Sequence, residues 1–510
     1  MNLGRDKTVQ EIISRLENAA GEGVVRVEGT WGSFAPMLVA YISEKTSRPI
    51  LYIRPHIDDA DKAADDLQTF TGGKIEAFGA WEGQEDLADA TDEIRAQRLM
   101  VVSQISHTAA HSRKGKFILP ASVQSICQPV PKPEAIEKGS LALEVEKTVS
   151  PERVVEWLVE SGFERTEGID LPGQFARRGG IVDIYAPLVN EKVLPGGGPE
   201  GPSQGAEAVR VEFFGDTVES IRQIDLDTLR SSREIKSIGI VSAVCGTTRQ
   251  QHCVAGILPA IRGRDALDTE LFLNILPRDT LIVFEEPGEI EEVARVFLER
   301  AEDASRLYSW TDIHGAAAHF AQLHIGRFAA AQPEDSLKVD IRSVQQFQHK
   351  ATSVWAGHKA ALEELVAETK QGRCVQLYCE SAAEIKRVGE IIQDISGDIP
   401  ARFELLSGFI HHGFVIHSLD TIIISHHELF GQYALRRARR PTRVSSPVET
   451  LSDLQEGDYV VHASYGIGKF SGVQTLHEKG GANEYLTIEY AGGVKIQVSA
   501  RNIALVQKYI

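Results

Sequence analysis

The chain has 510 residues, with 42% hydrophobic and 25% charged side chains, and this length predicts roughly three to five domains of ordinary globular composition. Its 54 basic and 72 acidic residues give a formal net charge of -18, which argues against extensive direct DNA binding and favours protein partners. Five cysteines without a CxxC pair, and the lack of a signal-peptide pattern or a membrane-length apolar run, argue against a disulfide or zinc framework and predict a cytoplasmic protein.

The amino-terminal region alternates helices and strands in the βαβ rhythm that is typical of a parallel sheet. The predicted elements are helices at 7–20 and 36–46 and strands at 24–27 and 49–55. The turn after the first strand reads EGTWGSFAP, in which Gly29, Gly32 and Ser33 keep the outline of a phosphate loop. The lysine that would hold the β- and γ-phosphates is missing, so we interpret this turn as a degenerate phosphate loop.

A proline-rich stretch at 117–139 indicates a domain crossing, and a helix and alternating antiparallel strands follow it. Ser150 is the predicted cap of the helix. The predicted buried stripe of the helix consists of Val154, Val155, Leu158 and Val159. The strands at 171–187 and 209–225 carry three conspicuous side chains, which are Arg178, Arg210 and Phe214. They are either solvated arginines beside a core phenylalanine or a flat arginine-and-aromatic contact of the kind found at interface hot spots.

Two further α/β regions follow. The strand at 279–287 ends in Glu285 and Glu286, which we interpret as ordinary strand-end acids because the lysine of a nucleotide site is absent. A second α/β region begins near residue 346 and contains a histidine group: His411, His412, His417, His426 and His427. Adjacent histidines on a strand point to opposite faces, so no metal site is predicted. The arginine-rich run at 436–443 is either a solvated linker or a transient phosphate contact.

The last stretch, 457–509, alternates apolar and polar residues and is broken by glycines where tight turns are needed. About five short strands in this length predict a small, strongly bent barrel. A barrel of this size has little core and exposes its edge strands, so we expect it to pair with the sheet of another protein. Since the chain shows no GxSxG, HExxH, paired-acid or intact helicase motif, no catalysis and no cofactor are predicted for it.

Four sequence segments carry a family resemblance: PGQFARRGGIVDIYAP, RVEFFGDTVESIRQID, HELFGQ, and GDYVVHASYGIGKF with EYLTIEYAGG. With them the chain resembles the amino-terminal half of the bacterial transcription-repair coupling factors. The resemblance implies a multidomain α/β fold with UvrB-like, degenerate P-loop-type domains 1a (1–121) and 1b (231–345). An inserted α+β domain 2 (122–230), a small α/β domain with a basic linker (346–452) and a Tudor- or CarD-like barrel (453–510) complete it.

The resemblance also implies a function and its site residues. In the family, domain 2 binds the repair protein UvrA through residues that correspond to Arg178, Arg210 and Phe214. The barrel adds its edge strand to the β subunit of RNA polymerase, and Val473, Thr475 and Leu476 are the corresponding candidates. The chain is therefore expected to be a non-catalytic adaptor in transcription-coupled nucleotide excision repair, with no membrane partner.

The family's ATP- and magnesium-dependent motor domains would follow Ile510, so the chain is expected to be a fragment or a split version of the protein. DNA contact is then expected only through that motor or weakly through the arginine-rich run. Two alternative functions are a UvrB-type repair ATPase or helicase subunit and a CarD-like transcription regulator. The first requires a phosphate-loop lysine and a tyrosine-rich DNA hairpin, and the second requires the barrel alone.

Overall fold

The computed structural model describes residues 3–18, 23–81, 88–110, 116–186, 189–190, 207–226, 230–241, 269–301, 304–328, 336–347, 354–430, 459–462, 466–478, 481–489, 495–499 and 506–508. The chain divides into two compact units, Met1–Ala434 and Leu435–Ile510. Within the ranges just given, no helix is long and apolar enough to cross a membrane.

The first unit mixes helices with strands, and the described part of the second consists of strands. The helices are α1 (Lys7–Asn18), α2 (Phe34–Thr46), α3 (Ile57–Thr71), α4 (Ala88–Ala110), α5 (Val123–Cys127), α6 (Pro133–Lys138), α7 (Pro151–Glu160), α8 (Pro287–Arg300), α9 (Trp310–Ala317), α10 (Val354–Lys370), α11 (Ala382–Ser396) and α12 (His426–Phe430). The strands of the first unit are β1 (Gly23–Glu28), β2 (Ile50–Arg54), β3 (Ile118–Ser122), β4 (Val130–Pro131), β5 (Ser140–Glu144), β6 (Glu164–Arg165), β7 (Gln174–Arg178), β8 (Ile181–Ala186), β9 (Val189–Asn190), β10 (Glu207–Phe214), β11 (Thr217–Asp225), β12 (Arg230–Ile235), β13 (Ser237–Val241), β14 (Thr269–Glu270), β15 (Leu281–Glu285), β16 (Ala321–Gly326), β17 (Ser336–Lys338), β18 (Ile341–Ser343), β19 (Cys374–Cys379), β20 (Phe403–Ser407), β21 (Phe414–Ile416) and β22 (Thr421–Ser425). Those of the second unit are β23 (Tyr459–His462), β24 (Gly466–Glu478), β25 (Gly481–Glu489), β26 (Lys495–Ser499) and β27 (Val506–Lys508).

A six-stranded parallel sheet, ordered β17-β1-β16-β15-β2-β3, is the centre of the first unit. β2 and β15 are almost continuous apolar runs and are buried, as expected for parallel strands with both faces covered. β15 and β16, which come from far along the chain, lie between β1 and β2. The regions predicted as 1–121 and 231–345 therefore contribute strands to the same sheet, and the predicted α/β character is confirmed.

A second six-stranded sheet, ordered β12-β11-β10-β8-β7-β6, lies between these two contributions in the chain. Helix α7 packs on one face, with Val154 and Leu158 fully buried among strand residues. Ser150 caps α7 as predicted, because its side chain accepts a hydrogen bond from the backbone N–H of Arg153 at 3.3 Å. The predicted buried stripe is wrong at Val159, which is 53% exposed because it lies at the rim of the helix face that meets the sheet.

A five-stranded sheet is ordered β18-β21-β22-β19-β20, and all its strands except β18 lie in the second predicted α/β region, here called the small domain (354–430). β19, β20 and β22 run parallel, and β18 and β21 pair antiparallel at one edge. Helices α10 and α11 contribute Leu362, Leu365, Val388 and Ile392 to its buried core. The helix–strand alternation predicted after residue 346 is thus confirmed.

The second unit contains a five-stranded antiparallel sheet, ordered β26-β25-β24-β23-β27. The long strand β24 has a bulge between Phe470 and Val473, where Gly472 has a φ of 109°, a value that favours glycine. The strand content agrees with the alternation in the sequence. Closure of this sheet into a barrel stays a prediction, as do the five domain boundaries.

A fully buried guanidinium stabilises the turn that precedes helix α4. Arg98 is 2% exposed, and its cation lies 4.4 Å from the ring centroid of Phe78 and 4.8 Å from that of Trp81. Its N–H groups donate to the backbone carbonyls of Gly79, Ser125, Gln128 and Pro129 at 2.7–3.2 Å. Burial lowers the pKa of Arg98 to about 9, so the group is still charged at neutral pH. One side chain thereby joins α4 to the segment that follows α5.

The Arg98 contacts yield a stability prediction. We expect Arg98→Met to lower the free energy of unfolding by about 3 kcal/mol, because it leaves buried carbonyl groups without donors. Chemical denaturation followed by circular dichroism measures this change. Arg295→Met is the control, since Arg295 forms only exposed ion pairs with Glu292 and Glu299 on α8 and its loss should change stability little. Equal stability of the two variants would contradict a structural role for Arg98.

Candidate functional site

The phosphate-loop turn joins β1 to α2 and has the backbone of a nucleotide-binding turn. Gly29 and Gly32 have φ values of 85° and 58°, which favour glycine, and Ser33 precedes the first residue of α2. A Cβ on Gly29 would lie 2.2 Å from the carbonyl oxygen of Val339. The three residues predicted from the sequence therefore form one turn at the carboxyl end of a parallel strand, where anions bind in related folds.

The space above this turn is filled by the protein itself. The backbone N–H of Ser33 donates to the carbonyl oxygen of His412 at 2.9 Å. A Cβ on Gly32 would lie 2.8 Å from that oxygen and 2.9 Å from the carbonyl oxygen of Gly413. A carbonyl oxygen uses the same N–H donor that a phosphate would need, so this arrangement disfavours a phosphate ligand.

The strand-end acids nearby are also engaged internally. Glu285, at the end of β15, accepts hydrogen bonds from the hydroxyl of Tyr52 and from Nη1 of Arg54, the latter at 2.5 Å. Burial is the largest effect on the Arg54 guanidinium and lowers its pKa, but Glu285, Tyr52 and Asp59 together outweigh burial, so the pKa lies above its ordinary value. Burial raises the pKa of Glu286, whose Oε1 accepts from the backbone N–H of Arg327 at 2.8 Å. An arginine thus occupies the position beside Glu285 at which a nucleotide site would need a cation.

These contacts predict that the chain does not bind ATP. We expect isothermal titration calorimetry with millimolar magnesium–ATP to give no saturable heat, because a lysine is missing, the Ser33 amide is used and Glu285 is paired. A competent P-loop ATPase in the same buffer is the positive control. A dissociation constant in the micromolar range would contradict the interpretation and would favour the UvrB-type ATPase.

The three candidate UvrA-binding residues lie on one face of the second sheet. Directly paired residues of antiparallel strands share a face; Arg178 pairs with Ile181 and Ile181 pairs with Glu212. Arg210 and Phe214 flank Glu212 along β10, and the side chains of β10 alternate between the core and this outer face. Arg178 lies two strands away from β10 and two residues further along the strand direction from Arg210 or Phe214, so roughly 12 Å separate it from each of these two residues. The structure therefore brings the three residues together.

The three side chains differ in how available they are. Phe214 is 80% exposed, and Arg178 is exposed while its Nη2 donates to the carbonyl oxygen of Glu167 at 2.9 Å. Arg210 forms two parallel hydrogen bonds with the carboxylate of Asp183, at 2.7 and 2.8 Å. Hydrogen bonding to Asp183 raises the pKa of Arg210. Sequence reasoning missed Asp183, although an acid between apolar residues in IVDIY is a signal for a buried partner.

The candidate polymerase-binding residues lie on β24. Val473, Thr475 and Leu476 pair with Leu486, Glu484 and Asn483 of β25, respectively. On the other side of β24, the pairing with β23 ends at Lys469. Among the described residues of the second unit, positions 473–478 are therefore paired along one side only. This agrees with the exposed edge expected for FSGVQTL, while the roles of the three residues stay predictions.

The histidines of this group lie on different elements of the small domain. His411 and His412 lie in the loop that fills the phosphate-loop turn, and His427 lies on α12, where its Nε2 contacts the carbonyl oxygen of His411 at 3.2 Å. Across the part of the chain that the structure describes, no group of three or more His, Cys, Asp or Glu side chains could hold a metal ion. The arginine-rich run at 436–443 lies outside the described residues.

Beside this loop, Glu428 is a buried acid with a titratable effect on stability. Its Oε2 accepts from the backbone N–H groups of Gly413 and Ser425, at 2.8 and 3.1 Å. Burial raises the pKa of Glu428 to about 7 despite these bonds. The folded state therefore keeps a proton that the unfolded chain releases at lower pH. The stability that this proton provides is complete below the ordinary pKa of 4.5 and is lost as the pH rises through about 7.

Glu428→Gln removes this titration while keeping an oxygen acceptor for both amides. Relative to the unsubstituted protein, we expect the variant to gain about 2 kcal/mol of unfolding free energy between about pH 5 and about pH 8. Denaturation curves measured across that range test it. Glu363→Gln, at an exposed position of α10, is the control, and no such trend is expected there. A pH-independent difference between Glu428→Gln and the unsubstituted protein would contradict the prediction.

Two regions of the chain match known domain families. Residues 141–194 and 201–244 match the UvrB interaction domain, and residues 454–510 match the CarD-like/TRCF RID domain. The first match contains α7 and most of the second sheet, with Arg178, Arg210 and Phe214. The second match contains the sheet of the second unit. The predicted resemblance is confirmed.

The chain is similar along its length to transcription-repair-coupling factors. It is 25% identical to that of Bacillus subtilis (strain 168), and the match covers 98% of this chain and 46% of the relative. It is 23% identical to that of Myxococcus xanthus, with 95% and 45% covered, and 20% identical to that of Staphylococcus haemolyticus, with 100% and 46% covered. The chain therefore spans about half the length of the curated relatives that it matches.

Proposed function

We propose that this chain is the adaptor part of a transcription-repair coupling factor, which recruits UvrA through the second sheet and binds RNA polymerase through the second unit. The observation that carries the proposal is the presence of both matched domains in one chain, each with a surface suited to a protein partner. No catalytic role is assigned to the chain. DNA contact would be weak and confined to the arginine-rich run.

The outer face of the second sheet suits a UvrA contact. Exposed aromatic residues and arginines dominate the binding energy of protein interfaces, and Phe214 and Arg178 are both exposed there. The bond to Asp183 fixes the planar guanidinium of Arg210, which reduces the side-chain entropy that binding would cost. We infer that Phe214 enters a pocket of UvrA and that the two arginines meet acidic or carbonyl groups around it.

The edge of β24 suits the addition of a strand from the polymerase β subunit. Along positions 473–478, backbone N–H and C=O groups on one side of β24 have no paired strand among the described residues. Such an edge provides affinity through main-chain hydrogen bonds, while alternate side chains provide specificity. Val473, Thr475 and Leu476 are our candidates for these contacts.

The two alternatives explain fewer observations. A UvrB-type ATPase conflicts with the missing lysine and with the His412 carbonyl that uses the Ser33 amide. A CarD-like regulator would need only the second unit, whereas the UvrB interaction domain match lies in the first. Deletion of residues 1–440 discriminates between the functions. Promoter effects that survive this deletion would support the regulator, and loss of repair coupling would support the adaptor.

Charge substitutions on the two surfaces test the adaptor function. We expect Arg178→Glu to weaken UvrA binding and Leu476→Arg to weaken binding to polymerase β, each by about 2–4 kcal/mol, because a charge replaces an interface anchor. Each variant should spare the other partner. Co-purification and surface plasmon resonance with separately purified UvrA and polymerase β measure both effects.

Matched controls use exposed or edge positions outside the candidate surfaces. Arg153→Glu reverses an exposed charge on α7, and Gln507→Arg adds a charge to β27, an edge strand of the same five-stranded sheet. Both controls should bind both partners normally. Normal binding of both partners by Arg178→Glu and Leu476→Arg would show that the site residues are wrong.

A further inference from the structure

Three successive backbone N–H groups of one loop in the small domain are held by side-chain oxygens. His411 donates to Oδ1 of Asp66 at 2.8 Å, His412 donates to Oγ of Ser33 at 3.1 Å, and Gly413 donates to Oε2 of Glu428 at 2.8 Å. Asp66 belongs to α3 and Ser33 to the phosphate-loop turn, so two of the three acceptors come from the first α/β region. A loop of one domain is thus bound by the nucleotide-type turn of another.

The contact is reciprocal at each end of the loop. Ser33 accepts from the N–H of His412 and returns its own N–H to the carbonyl oxygen of the same residue at 2.9 Å. Thr69, one turn after Asp66 on α3, donates its hydroxyl to the carbonyl oxygen of Phe409 at 2.5 Å and accepts from the Phe409 N–H at 3.1 Å. Ser33 and Thr69 each form two hydrogen bonds with one residue of the loop, and three of these four bonds use a side-chain hydroxyl.

Apolar packing removes water from around these hydrogen bonds. The ring of Phe34, the first residue of α2, meets the ring of Phe414 edge-on at a centroid distance of 5.8 Å. Phe70 meets Tyr378 in the same way at 6.1 Å, and Ile410 is fully buried. The buried cluster of the first sheet includes Phe414, Ile416 and Ile423 of the small domain. The contact is therefore a shared core with a hydrogen-bonded centre, since hydrogen bonds are stronger where water is excluded.

We propose that the phosphate-loop turn is a docking socket for the small domain, with the loop Gly408–Gly413 as its internal ligand. The carbonyl groups of His412 and Gly413 take the place that an anion would occupy. On this basis, glycine is required at position 32 because the lack of a Cβ lets the two carbonyl groups approach the turn, and not because a nucleotide binds there. The socket makes residues 23–81 and the small domain one rigid body.

The test compares two glycine substitutions in the full chain. Gly32 and Gly72 both have left-handed backbones, with φ values of 58° and 72°, so alanine strains both. Only at Gly32 would the new Cβ meet the loop, since nothing lies within 4 Å at Gly72. We expect Gly32→Ala to raise amide hydrogen exchange at 409–413 at least roughly tenfold above Gly72→Ala, while exchange in β15 and β19 stays unchanged.

A milder pair of variants covers the case in which Gly32→Ala does not fold. Ser33→Ala removes the acceptor of the His412 N–H, and Thr69→Val removes both bonds to Phe409. Each should raise exchange locally, at 411–413 and at 409–410 respectively, and the double variant should raise it across the whole loop. Two results would overturn the proposal. One is that Gly32→Ala and Gly72→Ala show the same exchange at 409–413. The other is that the double variant shows the same exchange there as the unsubstituted protein.

Discussion

The structure depends on the pairing of distant segments within the parallel sheet. β15 and β16 lie between β1 and β2, so the sheet cannot form until residues beyond 280 return to the first 54. The segment that contains the second sheet begins and ends at strands of the parallel sheet. Its position is therefore more restricted than that of a domain attached through one linker. The Arg54–Glu285 ion pair crosses from the end of β2 to the end of β15 and fixes this joint from inside. Folding of the first unit is therefore expected to be cooperative over long sequence separations.

The carboxyl edge of the same sheet is closed by groups of the chain itself. A parallel sheet leaves N–H groups and acidic side chains at its carboxyl edge, and these groups need partners once they are buried. In nucleotide-binding folds with a parallel sheet, phosphate and a metal ion supply them. Here the His412 carbonyl and the Arg54 guanidinium do so. Groups of the chain itself are therefore the partners of the Ser33 N–H and of the Glu285 carboxylate.

The sequence predicts the elements well wherever one strand or helix carries the pattern. The alternation around Arg178, Arg210 and Phe214 places them on strands, and its period of two puts Arg210 and Phe214 on the same face. The partners of these residues depend on register between strands, so neither Asp183 beside Arg210 nor Arg54 beside Glu285 could be deduced. The contacts of the loop Gly408–Gly413 could not be predicted either, because they join residues more than 300 positions apart. Val159 was predicted to be buried from its apolar side chain, but it is exposed, because an apolar residue at the rim of a helix face is not always buried.

Some conspicuous groups of this chain have partners within the chain, whereas others stay open at the surface. The phosphate-loop turn, with its glycines and nearby acids, has the strongest motif outline of the amino-terminal region, yet its polar groups face the protein's own loop. The second sheet exposes Phe214, and β24 is paired along one side at 473–478 within the described residues. Exposed aromatic side chains and open strand edges carry a risk of aggregation unless a partner covers them. These two costly features lie in the two regions that match interaction-domain families, whereas the polar groups of the phosphate-loop turn are used within the chain.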